Sequence, residues 1–94
     1  MVHKIPIDGI LDLHVFSPRD VESVVKEYVT VAAEQGFAEI RLIHGRGIGI
    51  QRRIVHSVLK KHPSVNSFWD AEDSHLGATI AKLLHGPMKR EVTN

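Results

Sequence analysis

The chain contains no cysteine. Disulfides, thiolate nucleophiles and cysteine-ligated metal sites are therefore excluded. No apolar run approaches the ~20 residues that a membrane-spanning helix needs, and the N-terminal stretch lacks the apolar core of a signal peptide. The expectation is a cytoplasmic protein with no membrane partner. Aromatics are scarce, with one Trp, one Tyr and three Phe, so the core must be built mainly from aliphatic side chains. Acidic residues are missing altogether between residues 41 and 62, where six Lys/Arg stand. What the sequence has in number is histidine, with seven copies.

A chain of 94 residues is long enough for one domain that buries roughly 60–65% of its unfolded surface, and too short for two. The expected unit is a single domain over 1–94 with its core between about 10 and 84, loose tails at 1–8 and 86–94, and a monomeric state. An apolar fraction of 43% and a charged fraction of 24% are those of a globular domain rather than a disordered chain. The net charge of +1 hides a strong segregation. Residues 1–40 carry three Lys/Arg against seven Asp/Glu, residues 41–62 carry six against none, and residues 63–94 carry three against four. A basic block of this kind fits a polyanionic partner, although a solvated helix face would read the same way.

Val21, Val24, Val25, Tyr28, Val29 and Ala32 follow the i, i+3, i+4, i+7 spacing of an amphipathic helix. Ser17 as cap, Pro18 in the first turn, Asp20 beside it and Gly36 as stop place this helix at about 18–35. Ile50, Ile54, Val55, Val58 and Leu59 repeat the spacing, and His62-Pro63 ends it, for a second helix at about 48–61. "GILDLHV" (9–15) and "AEIRLIH" (38–44) are strand-length runs around the first helix, which predicts a parallel strand–helix–strand unit. "SVNSFWDA" (64–71) and "TIAKLL" (79–84) read as two further strands, antiparallel to each other, with a turn between them. The order is βαβαββ: an α/β fold with a four-stranded mixed sheet and two helices. Phe68 and Trp69 point to opposite faces of their strand, one toward the core and the other free to be exposed, where it either packs at an edge or stacks on a base.

Between the second strand and second helix lies "HGRGIGI" (44–50), with glycines at 45, 47 and 49. Ligands of α/β sheets bind beyond the carboxyl ends of the strands. Glycines there let backbone amides approach an anion, and the helix that follows offers unpaired N–H groups and a positive dipole end. The expected guest is a phosphate. G-x-G-x-G falls short of the dinucleotide fingerprint G-x-G-x-x-G; Asp70 stands where a ribose-binding acid would, but the chain is too small for a dinucleotide domain with a substrate site. The Gly-Lys-Ser/Thr ending of a Walker loop is absent. Gly45, Arg46, Gly47, Gly49, Arg52, Arg53 and Lys60 are thus the candidate phosphate-binding residues, and a polymeric phosphate chain suits them better than one pyrophosphate.

His44 opens this loop, and His14 ends the first strand. If the two strands are neighbours, their imidazoles can converge at one sheet edge, with Asp12 on the same strand face as His14. Asp12, His14 and His44 are the catalytic candidates. Two imidazoles near a phosphate can serve as base and acid at neutral pH without a metal. His3, His56, His62, His75 and His85 lack such support and are assigned to surface or structural positions. No HExxH or clustered His/Asp pattern points to a metal site.

At "LDLH" (11–14) and "HGRG" (44–47) the sequence resembles the small MutS-related (Smr) domain family. The likeness continues through "IGIQRRIVHSVLKKHPSVNSF" and "GATIAKL" (77–83). The resemblance implies a two-layer βαβαββ sandwich similar to the C-terminal domain of translation initiation factor 3. It implies a nucleic acid, DNA or RNA, as partner, and endonuclease activity, either RNA cleavage or DNA nicking. A binding module with the same surface and no chemistry is the alternative, and an adaptor for an acidic protein is a third class. A requirement for Mg²⁺ is left open, with Asp12 the one carboxylate of the candidate site. The chain departs from the family pattern in having Val15 after LDLH where Gly is frequent, and Ser74, His75 and Leu76 where paired glycines are frequent.

Overall fold

The computed structural model describes residues 7–45, 49–72 and 77–84. Its elements are β1 (Ile10–Asp12), a 3-10 turn (Leu13–Val15), α1 (Pro18–Glu34), β2 (Glu39–Ile43), α2 (Ile50–Lys61), β3 (Val65–Asp70) and β4 (Ala78–Leu83). Among the described residues no helix is long and apolar enough to cross a membrane.

Every member of the α1 stripe is buried: Val21, Val24, Val25, Tyr28, Val29 and Ala32. Valine in a helix costs roughly half a kcal/mol relative to alanine, whereas burying its side chain contributes on the order of 1.5–3 kcal/mol, so packing wins. One detail at each end of α1 differs from expectation or sharpens it. Ser17 makes no side-chain hydrogen bond to a helix amide; its hydroxyl instead donates to the Asp20 carboxylate at 3.1 Å, where a negative charge already suits the positive helix end. At the other end Gly36 takes φ +88°, and the Phe37 and Gly36 amides donate to the Ala32 and Ala33 carbonyls at 3.0 and 3.1 Å. That is the Schellman stop that only glycine closes without strain. α2 begins at Ile50 rather than about 48, because Gly49 at φ +85° occupies the cap position.

The sheet order is β1-β2-β4-β3. β1 and β2 pair in parallel, with Leu11 opposite Leu42 and Asp12 opposite Ile43. β4 inserts between β2 and β3 and runs antiparallel to both. β1, β2 and β3 therefore all end at one edge, where β4 begins. The two helices pack on the sheet face carrying Leu11, Ile40, Leu42, Ala81 and Leu83. The opposite face carries a cross-strand row of Ile10, Arg41, Ile80 and Trp69.

Candidate active site

The edge where three strands end collects the chemistry. β1 was expected to run to residue 15, with Asp12 and His14 on one strand face. Instead the Asp12 carboxylate accepts the His14 backbone N–H at 3.1 Å and draws the chain into the 3-10 turn, closed by the Phe16 amide on the Leu13 carbonyl at 3.0 Å. The same oxygen lies 2.6 Å from His14 Nδ1. A carboxylate accepts only, so Nδ1 carries the proton and Nε2 is the basic nitrogen. The His14 side chain is 71% exposed. Partial burial works to raise the Asp12 carboxyl, but the hydrogen bonds from the His14 ring and backbone outweigh it and hold it below its ordinary value. Val15, where family members often have glycine, stands 70% exposed, so its side chain leaves the turn unobstructed.

His44 does not converge with His14. It continues the inward alternation of Ile40 and Leu42, is only 7% exposed, and uses both ring nitrogens internally. Its Nδ1 lies 2.9 Å from the Gly45 carbonyl and its Nε2 lies 2.9 Å from the Thr79 hydroxyl. Thr79, fully buried on β4, also lies 2.9 Å from Nε2 of His56, which stands 3.3 Å from Asp70. One end of this chain sets every direction. A carbonyl accepts only, so Nδ1 of His44 donates to it, and an imidazole with its one proton there receives the Thr79 hydroxyl proton at Nε2. The Thr79 oxygen then accepts from His56, whose N–H also faces Asp70. Arg52 closes the series, with Nε and Nη2 donating to the two Asp70 oxygens at 3.1 and 2.6 Å. Burial, then the Arg52 charge, depress the His56 pKa against the opposing pull of Asp70. The Arg52 hydrogen bonds hold the Asp70 carboxyl below its ordinary value.

The glycine loop is anchored from the same network. His44 and Gly45 amides both donate to the Gly77 carbonyl, at 3.1 and 3.0 Å, so the Gly45 amide is already engaged rather than open to an anion. Gly45 sits at φ +88° with no atom of the described residues within 4 Å of an added Cβ; the backbone angle asks for glycine. The first-turn amides of α2 have no intrahelical acceptor, as in any helix. Arg46 and Gly47 lie outside the described residues, as do His3, His75, His85, Ser74 and Leu76. Arg53 is exposed in the first turn of α2. Lys60, in the last turn, stands about 10 Å further along the helix axis and away from the edge. His62 bonds Thr30 across the helices at 3.0 Å.

The fold does create the His/Asp cluster that spacing along the chain did not indicate. Donor atoms of His44, His56 and Asp70 lie within 4.8 Å of one another. Two imidazoles and a carboxylate are ligands for Zn²⁺ or a similar transition ion. Here, however, the Thr79 hydroxyl bridges the imidazoles and Arg52 neutralises the carboxylate, so a cation would have to displace both. Mg²⁺ wants several oxygen ligands, and Asp12, its carboxylate committed to His14, does not supply them. One sequence signal pointed toward the cluster: Arg52 and His56 are four apart and share a helix face.

A family model described as the Smr domain matches residues 11–83. The chain belongs to the Smr domain family. It is 40% identical over 68 residues to "Endonuclease MutS2" of Solidesulfovibrio magneticus, covering 72% of this chain and 9% of that protein. It is 32% identical over 79 residues to the protein of that name from Caldicellulosiruptor saccharolyticus, covering 82% of this chain and 10% of the relative. The chain thus spans about a tenth of the length of these relatives. The crystal structure of the Smr domain of Thermus thermophilus MutS2 superposes with a TM-score of 0.73 at 27% identity, covering 81% of this chain and 98% of that one. The helix pair on a four-stranded mixed sheet is the Smr fold, and the signature segment 11–14 and the described start of the second, His44 and Gly45, stand at the same sheet edge.

Proposed function

We propose that this Smr domain binds nucleic acid and cuts its phosphodiester backbone, with His14 as general base and Asp12 as the group that orients it. The observation that carries the reading is the 2.6 Å contact of Asp12 with His14 Nδ1 on an exposed turn, beside the N-terminus of a basic helix. A base oriented by a carboxylate through one nitrogen, with the other turned to solvent, is the arrangement that proton abstraction needs. The relatives' name, "Endonuclease MutS2", is consistent with it. On RNA, His14 Nε2 takes the proton of a 2′-OH, the oxygen attacks the adjacent phosphorus, and the P–O5′ bond breaks to leave a cyclic phosphate while the departing oxygen is protonated by solvent. Arg53, Arg46, Gly47, Gly49 and the first-turn amides of α2 hold phosphates and the developing charge. Arg52 joins them only by releasing Asp70, and His44 with Gly45 shapes the loop rather than moving protons.

The test is incubation of the protein with labelled single-stranded RNA, duplex DNA and supercoiled plasmid, with and without Mg²⁺. His14→Ala should lower RNA cleavage by about 10²- to 10⁴-fold and leave binding within twofold. A single 2′-deoxy nucleotide at the cut position should abolish cleavage. Binding without cleavage of any substrate would identify a non-catalytic binding module instead.

A further inference from the structure

We infer that Trp69 is a seat for an unpaired base, so that this Smr domain takes single-stranded nucleic acid laid across its open sheet face from β3 toward His14. The inference rests on the nucleic-acid reading above and names the class of strand that reading leaves undefined. Trp69 is 44% exposed and Ile10 54% exposed. They are the two ends of one row, because Ile10 pairs with Arg41, Arg41 with Ile80, and Ile80 with Trp69. The inward position next to Trp69 is filled by Phe68, packed edge-on to His56 at 5.0 Å. The indole is thus left on the outer face of an edge strand.

The row lies beside the catalytic candidate. Asp12 pairs with Ile43 and Ile43 with Ala78, two residues from Ile80 along β4. Three strand spacings and two residues put Trp69 about 16 Å from Asp12, a span that a few nucleotides of single strand cover. The sequence neighbour of Trp69, Asp70, has its charge matched by Arg52, and Arg52 and Arg53 stand together in the first turn of α2, the helix end tied to this end of β3. An aromatic platform next to the strand end that the cationic first turn of α2 reaches matches a polyanion with exposed bases. A duplex keeps the faces of its bases stacked on one another, so only an unpaired base can use the indole.

Trp69 is the chain's one tryptophan, so intrinsic fluorescence reports on this position alone. The protein would be titrated with a single-stranded uridine oligomer and with an RNA duplex, following Trp emission, and binding would be measured separately by anisotropy of a labelled oligomer. Saturable quenching by the single strand, at the concentrations where anisotropy rises, and little quenching by the duplex are expected. Trp69→Ala should weaken single-strand binding by about 5- to 150-fold, and Trp69→Phe should keep most of it. Binding by anisotropy with unchanged emission, and with full affinity in Trp69→Ala, would overturn the base seat and leave the nucleic-acid reading intact. No anisotropy change with any nucleic acid would remove that reading and this one with it. A concentration-dependent blue shift of Trp emission without oligomer, accompanied by a dimer mass, would assign the face to a second copy of the chain.

Discussion

Thr79→Val removes one oxygen and keeps the shape of a fully buried side chain. The hydroxyl it deletes both donates to His44 and accepts from His56, each at 2.9 Å. His56 keeps Asp70 as a second acceptor at 3.3 Å, but His44 Nε2, on a residue 7% exposed, has no replacement. Leaving one buried polar group unsatisfied costs about 1–3 kcal/mol, and a central value of ~2 kcal/mol would lower the melting temperature of a domain this size by roughly 8–16 °C. Urea unfolding should show the loss as a lower midpoint at unchanged slope, and Thr79→Ser should restore most of it. Long-range ¹H–¹⁵N NMR gives the second readout: His44 protonated at Nδ1 and His56 at Nε2 in the native protein, with the His44 proton still on Nδ1 in Thr79→Val because the Gly45 carbonyl continues to hold it. A variant within about 0.5 kcal/mol of the native protein, the range of an ordinary surface change, or a native His44 protonated at Nε2, would refute the hydrogen-bond directions derived above.

Three further outcomes follow from the same geometry. The folded-state pKa of His56 lies below its ordinary 6.5, so the folded protein resists protonation there; stability is complete above that ordinary value and falls as pH drops from about 7 toward the lower folded pKa. His56→Gln should flatten the urea midpoint between pH 7.5 and 5.5, and an undiminished slope would place the titration elsewhere. Binding to a nucleic acid through about four phosphates should weaken with salt at a log–log slope near −3 to −4. Arg53→Ala should reduce that slope by about one, while Arg52→Ala, whose guanidinium is engaged by Asp70, should change it less; equal effects in filter binding would mean that Arg52 leaves Asp70 when the ligand arrives. Gly45→Ala forces a side chain into φ +88°, at a cost of roughly 1–2 kcal/mol, and should lower both the urea midpoint and oligomer affinity.

The helices were legible in the sequence because their information is local. A stripe repeating every three to four residues states which face is buried, and Gly36 announces its own stop through a backbone angle. The strand runs and the two signature segments were legible for the same reason, and the parallel pairing of β1 with β2 followed from the helix between them. Asp12 and His14 could be singled out by spacing, yet their relation was misjudged, since one carboxylate hydrogen bond to the next-but-one amide turned a strand end into a 3-10 turn.

What only the tertiary structure decided is who meets His44. Its two companions stand 35 residues away at Thr79 and 12 away at His56, and Asp70 reaches Arg52 across 18. No periodicity connects these positions, because hydrogen-bond partners are chosen by proximity after folding and leave no repeat along the chain. The insertion of β4 between β2 and β3 is the step that brings them together. It sets Thr79 beside the end of β2 and Asp70 beside Thr79, buries His44 between the Gly45 carbonyl and the Thr79 hydroxyl, and leaves Trp69 on the outer edge of the sheet.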